Sequence, residues 1–262
     1  MDLQLEGKLA LVTGSTKGIG FSIAKALAAE GSRVIVNGRQ EESVSAAIRG
    51  IRELFPQARL EGFAGDLATA AAANDLVRRF GGVDILVNNL GIYEAKPFEE
   101  ITDEEWMHIF QVNVLSAVRL SRHYLPGMKE RNWGRIIFIS SESGIQIPVE
   151  MVHYGMTKTA MLAVSRGIAE GLAGTGVTSN AVLPGPTLSA GVEEFVSSVS
   201  AGKPLAEFEQ EFFRTVRPTS LLKRFATPDE VAPLVAFLSS PLSAATNGAA
   251  LRVDGGVVRA CF

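Results

Sequence analysis

Residues 8–20 read KLALVTGSTKGIG, and this stretch decides the fold. Its first part, KLALVTG at 8–14, is the continuous apolar run of a strand buried on both faces. A helix follows over residues 17–30, because Ile19, Ile23 and Leu27 recur at four-residue spacing and Gly31 supplies a stop. Glycines fill the turn between them. Gly14 allows the tight turn, Gly18 lets backbone approach an anionic group, and Gly20 lets the helix pack on the strand. The helix start adds free N–H groups and a positive dipole end. A glycine-rich turn needs no ligand, but its placement between strand and helix favours a dinucleotide.

Outward from this unit the same alternation repeats. RVIVNGR at 33–39, RLEGFAGD at 59–66, VDILVNN at 83–89, RIIFISS at 135–141, VTSNAVLPG at 177–185 and AALRVDGG at 249–256 read as further strands. Helical patterns separate them: from residue 41 to just before Pro56, up to Phe80, over 102–128, over 151–172, and from TPDEVAPLVAFLSS at 227–240. This predicts an α/β chain folded as a single-domain Rossmann fold over residues 1–262, a doubly wound seven-stranded parallel sheet with helices on both faces. Residues 186–220 break the rhythm as a long insertion, and they are the candidate substrate lid.

The chain has 262 residues, 47% of them hydrophobic, and a formal net charge of -3. That suits a globular protein and gives no electrostatic footprint for nucleic acid or an anionic membrane. No apolar run approaches the length of about 18 residues that a membrane helix requires, and the N-terminus lacks a basic segment before a long apolar one. With Cys261 as its single cysteine, the chain is expected in the reducing cytoplasm. Three scattered histidines and one cysteine give no metal-ligand cluster, so none is expected.

TGSTKGIG at 13–20, NNLG at 88–91, and then Ser141, Tyr154 and Lys158 in order make the whole chain resemble the short-chain dehydrogenase/reductase family, in its single-domain, 3-oxoacyl-carrier-protein reductase-like branch. The resemblance implies that Gly14, Ser15, Thr16, Lys17, Gly18, Ile19 and Gly20 form a cofactor loop. It places Asp66 and Leu67 beside adenine and runs Asn88 and Gly91 past the adenosine ribose. It sets Pro184 and Gly185 against the nicotinamide, with the Thr187 hydroxyl on its carboxamide. Two departures stand out: Thr187 comes two residues early, and Leu90 replaces a small residue. The position that would hold an acidic residue on the ribose 2′-OH is Gly38, followed at once by Arg39, with Lys17 in the first loop. Two cations and a missing carboxylate suit a 2′-phosphate, so NADP(H) is expected over NAD(H).

The family chemistry uses a tyrosine to give its phenolic proton to a carbonyl as hydride arrives. A free phenol has a pKa of about 10, and a neighbouring lysine is expected to lower it. Tyr154 and Lys158, four apart, leave one helix face together. By resemblance Ser141 holds the substrate oxygen, and Asn113 holds a water in a relay to the lysine. His153 points about 100° away from Tyr154, and Glu142 is expected to face solvent. The implied function is interconversion of a ketone and a secondary alcohol. A 3-oxoacyl thioester leads as substrate; sugars or polyols, xenobiotic ketones and a non-catalytic regulatory role are the alternatives. Apolar residues on more than one face of 102–128 and 151–172 match the family's subunit contact, so a homo-oligomer, tetramer or dimer, is expected.

Overall fold

The computed structural model describes residues 1–189 and 204–261. Strand β1 (Leu9–Val12) lies between β2 (Arg33–Gly38) and β4 (Ile85–Asn88), parallel to both. With β3 (Arg59–Ala64), β5 (Gly134–Ile139), β6 (Val177–Pro184) and β7 (Ala250–Val253) it completes a seven-stranded parallel sheet in the order β3-β2-β1-β4-β5-β6-β7. The chain therefore winds outward from β1 in one direction, then returns and winds the other way from β4. The loops leaving the paired carboxyl ends of β1 and β4 run in opposite directions there, and a crevice opens between them.

Strand alternation divides the core into two layers. Ala10, Val12, Val34, Val36, Ile85 and Val87 face α1 (Gly18–Ala29), α2 (Glu41–Leu54) and α8 (Pro228–Ser239). Leu11, Ile35, Leu86, Ile136 and Phe138 face α3 (Ala70–Arg79), α5 (Ser116–Glu130) and α6 (Val152–Glu170). Side-chain caps fix several helix starts: Thr69 accepts from Ala72 N ahead of α3, and capping boxes at Thr102/Glu105 and Thr227/Glu230 open α4 (Asp103–Phe110) and α8. Lys17 before α1 makes no such cap, so that helix presents its first N–H groups to the glycine loop.

The helix expected over 102–128 is interrupted. Between α4 and α5 the chain forms a π turn, Gln111–Leu115, which inserts an extra residue. Asn113 sits inside it and turns its side chain out of the helix toward the backbone of Ile92. Of the insertion at 186–220, residues 190–203, including Phe195, lie outside the described residues. The remainder contains α7 (Leu205–Thr215), whose Phe212 and Phe213 pack on Phe225 at centroid distances of 5.1 and 5.2 Å.

One buried side chain ties the sheet to the glycine loop. Asn37 Oδ1 accepts from Gly14 N at 3.0 Å, and its Nδ2 donates to the carbonyls of Phe63 and Gly65 at 3.1 and 3.2 Å. Its main chain joins in, because Asn37 N donates to Ser15 Oγ at 2.9 Å and Ser15 N donates to Asn37 O at 2.8 Å. Replacing Asn37 by alanine strands these buried strand-end groups. The N37A chain is expected to lose about 2–3 kcal/mol of unfolding free energy in urea titrations, with an unchanged denaturant slope.

Candidate active site

The crevice is built from the loops that leave β1, β4, β5 and β6. At its floor, Gly14 and Gly18 both take φ +60°, the left-handed region that glycine enters without strain. A Cβ at Gly20 would lie 2.4 Å from Gly14 O, so the helix packs on the loop only with glycine there. Asn89 sews this loop to the β4 end. Its Nδ2 donates to the carbonyls of Thr13 and Gly14 at 2.9 and 3.0 Å, while Thr13 Oγ1 accepts from the N–H groups of Asn89 and Leu90, both at 2.9 Å. Neither Asn89 nor Asn37 was singled out from sequence. An asparagine at or just past a strand end has no distinguishing spacing until the strand ends are known to converge.

The remaining cofactor candidates divide into side chains that face the crevice and side chains that do not. Arg39 and Lys17 are exposed, at the carboxyl end of β2 and the amino end of α1. A Cβ at Gly38 would come within 2.5 Å of Thr16 Cγ2, so an acidic side chain there would require the Thr16 side chain to move. Asp66 is exposed and its Oδ1 accepts from Ala68 N at 3.1 Å. Ser15, by contrast, is fully buried with its hydroxyl on Val12 O, and Leu67 and Ile19 pack into the two core layers. What these three can offer a ligand is backbone. Asn88 is buried as well; its Nδ2 donates to Ser121 Oγ at 3.1 Å and its Oδ1 is unpartnered. Pro184 ends β6, Gly185 N donates to Val253 O at 3.0 Å, and the Thr187 hydroxyl donates to Gly185 O at 2.9 Å, leaving its lone pairs as acceptors. The uncapped α1 start, the left-handed glycines and the exposed cations fit a dinucleotide phosphate.

Ser141, Tyr154, Lys158 and Asn113 converge on one spot beside this loop. Ser141 follows β5 and starts a single 3-10 turn, Glu142–Gly144, with its Oγ accepting from Ser143 N at 3.1 Å. The Tyr154 phenol, on the first turn of α6, lies beside the Ser141 side chain, which pulls its proton affinity down. One turn on, the Lys158 ammonium lies 5.5 Å from the Tyr154 ring centre and donates to Ile139 O at 2.9 Å. Gly91 closes over it, since a Cβ there would stand 3.4 Å from Lys158 Nζ and 3.5 Å from Asn113 Oδ1. Asn113 clamps the adjoining residue: its Oδ1 accepts from Ile92 N at 2.8 Å, and its Nδ2 donates to Ile92 O and Thr157 Oγ1 at 2.9 and 3.0 Å. Its side chain is thus committed to holding the loop.

The electrostatics differ from the simple expectation for a lysine beside a phenol. Burial dominates, pushing the Tyr154 phenol up to about 12, while the Ser141 hydrogen bond and the Arg217 charge pull the other way. Burial also draws the Lys158 ammonium down to about 8. Glu142 does not face solvent: it is buried, its Oε1 accepts from Arg217 Nε at 2.9 Å, and its Oε2 accepts from Ser143 Oγ at 2.9 Å. Arg217, just beyond α7, is 9% exposed. No local pattern hints at this pair, because 75 residues separate its members. His153 is buried against Trp106, with ring centres 5.8 Å apart, and takes no part in the cluster.

A doubly wound sheet with a glycine loop at its fork and a serine–tyrosine–lysine group beside it defines a dinucleotide-dependent oxidoreductase. The family model described as short chain dehydrogenase matches residues 8–199, and the chain belongs to the short-chain dehydrogenase/reductase family. It is 50% identical to "Uncharacterized oxidoreductase YvaG" of Bacillus subtilis over all of both chains. It is 33% identical to the 3-oxoacyl-[acyl-carrier-protein] reductase FabG of Aquifex aeolicus, covering 98% of this chain and 100% of that one. Among solved structures it resembles L-sorbose reductase from Gluconobacter frateurii, complexed with NADPH and L-sorbose, with a TM-score of 0.92 and 32% identity over 99% of this chain and 100% of that one. Among the described residues no helix is long and apolar enough to cross a membrane.

Burial of Lys158 has a thermodynamic consequence. An unfolded lysine ionises near 10.5, so between about 8 and that value the unfolded chain holds a proton that the folded chain has released. Native stability therefore rises with pH across this window, and the full penalty applies below it. Lys158→Met removes the penalty. It is expected to melt about 5 °C above the unsubstituted chain at pH 7, with the gap closing as the pH rises, in calorimetric scans.

Proposed function

We propose that the chain interconverts a ketone and a secondary alcohol with NADP(H), using Tyr154 as the group that gives and takes the proton. The observation that supports this best is the buried Lys158 ammonium, 5.5 Å from the Tyr154 ring centre and one helical turn away, with Ser141 beside the phenol. The nicotinamide, when bound, supplies or accepts the hydride. With its phenol pushed by burial still further above neutrality than a free phenol, Tyr154 keeps its proton until a substrate oxygen develops negative charge, which is what a general acid must do. Ser141, beside the phenol, is the group that would donate a hydrogen bond to the same oxygen and orient it. Lys158 retains its charge below about pH 8 and offers its remaining N–H bonds to cofactor hydroxyls and to the phenolate. Asn113 fixes the Gly91–Ile92 backbone over the lysine through its bonds to Ile92.

Arg39 and Lys17, with the small Gly38 against Thr16, support NADP(H) over NAD(H). The likeness to the Aquifex enzyme supports a 3-oxoacyl thioester as substrate. The TM-score of 0.92 to L-sorbose reductase favours, as a second reading, a small hydroxylated ketone. A groove of about 630 Å³ between α5 and α6, lined by Val118, Leu125, Pro126, Val164 and Ile168, supports a homo-oligomeric chain, dimer or tetramer.

The test follows NADPH absorbance over a panel of β-ketoesters, acyl thioesters, ketoses and cyclic ketones, with NADH in parallel. Tyr154→Phe is expected to fold normally and lose about a thousandfold in kcat/KM on whichever substrate is reduced. Arg39→Ala is expected to raise KM for NADPH about tenfold and leave KM for NADH unchanged. Full activity in Tyr154→Phe, or a preference for NADH, overturns the corresponding assignment. Light scattering on a size-exclusion peak is expected to give at least twice the chain mass of 27.9 kDa.

A further inference from the structure

The short-chain dehydrogenase reaction needs a serine, a tyrosine and a lysine, yet this site holds another pair of charges that those roles do not use. Glu142 is joined to Ser141 in the chain and hydrogen-bonded to Ser143, so its carboxylate is fixed to the same 3-10 turn that presents the Ser141 hydroxyl. Arg217 reaches it from a distant part of the sequence. Arg217 N donates to Phe212 O at 2.9 Å at the end of α7, and its guanidinium lies 5.9 Å from the Phe212 ring centre. The Arg217 Nη1 donates to Val216 O at 3.1 Å and stands 3.8 Å from Glu150.

A carboxylate this deeply buried is retained in ionised form only when a cation and hydrogen bonds replace its hydration. Both charges act on the phenol. The Glu142 carboxylate favours its protonated form and the Arg217 guanidinium favours its ionised form, in addition to the dominant effect of burial. The other groups around that phenol are Tyr93 from the loop after β4, whose ring packs edge-on at 6.1 Å, Ser141, and Lys158 on its own helix.

We propose that Glu142 and Arg217 are positioning residues for the reaction, a mutually neutralising pair that fastens the end of α7 to the serine turn and sets the electrostatic environment of the Tyr154 phenol. This rests on the reading of Tyr154 as proton donor. Arg217 serves to cancel a carboxylate that would otherwise oppose ionisation of the phenol, and the carboxylate serves to seat Arg217 and the helix end that bears it.

Each charge can be removed separately and the phenol followed directly. The chain has three tyrosines, so replacing them with meta-fluorotyrosine gives three fluorine NMR resonances, and Tyr154→Phe identifies the one that matters. Glu142→Gln keeps the shape and removes the negative charge. Its Tyr154 midpoint is expected to fall by about half a pH unit or more. The double variant Glu142→Gln/Arg217→Met removes both charges, and its midpoint is expected to return to that of the unsubstituted chain. Arg217→Lys retains the cation and is expected to leave the midpoint in place. A midpoint that is unmoved or raised in Glu142→Gln overturns the proposal, as does a double variant that stays at the single variant's value. Should the double variant fail to fold, the direction of the Glu142→Gln shift decides alone. Absence of turnover by the unsubstituted chain across the carbonyl panel overturns instead the reading of Tyr154 as proton donor, so the two failures are told apart.

Discussion

The fork between β1 and β4 is the constraint on which the site depends. Where the loops leave these two paired strands in opposite directions, backbone groups past the strand ends have no strand partner, and buried backbone groups without partners are costly. Side chains resolve this. Thr13 Oγ1 accepts from two successive N–H groups after β4, Asn89 returns two bonds to the end of β1, and Asn37 does the same work between β2, β3 and the glycine loop. The loops of the crevice are thereby held by satisfied hydrogen bonds while their exposed faces stay free for a ligand. A loop held in this way meets a phosphate without having to be ordered first.

Around that scaffold the chain tolerates charge where an apolar core would be more stable. Lys158, Glu142 and Arg217 are 4%, 3% and 9% exposed, and Glu142 and Arg217 both act on the Tyr154 phenol. Buried charges of this kind are weak contributors to stability and are kept for what they do to neighbouring proton affinities. The apolar layers on the two sheet faces offset that cost, which explains how a buried polar centre persists in a well-packed fold.

Most of the fold was legible from periodicity because parallel strands buried on both faces write themselves as uninterrupted apolar runs. All seven lie where LALV, VIV, DILV, RIIFI and their companions indicated. The positions of Ser141, Tyr154 and Lys158 were legible because each stands at a fixed place on an element, a strand end or a helix turn. What escaped reading depends on contacts between segments remote in sequence. Glu142 looked solvated because its partner Arg217 is unforeseeable from local pattern. The phenol was expected to be acidified by its lysine, but burial, which no local spacing reveals, pushes it up, and the groups that pull it down are Ser141 and Arg217. Leu67 and Ser15 matched a cofactor motif by register, yet their side chains serve the core.

The π turn at Gln111–Leu115 has a further consequence for how this helix can be read. One extra residue shifts the angular phase of everything after it by about 100°. The apolar stripe of α4 and that of α5 therefore belong to different faces, although the chain between them stays helical. The rotation lets one continuous rod attend to two neighbours, with its first half packing against α6 beside the phenol and its second half covering the sheet next to α3. Loss of a single residue within 111–115 would bring the two halves back into register and leave no way to satisfy both.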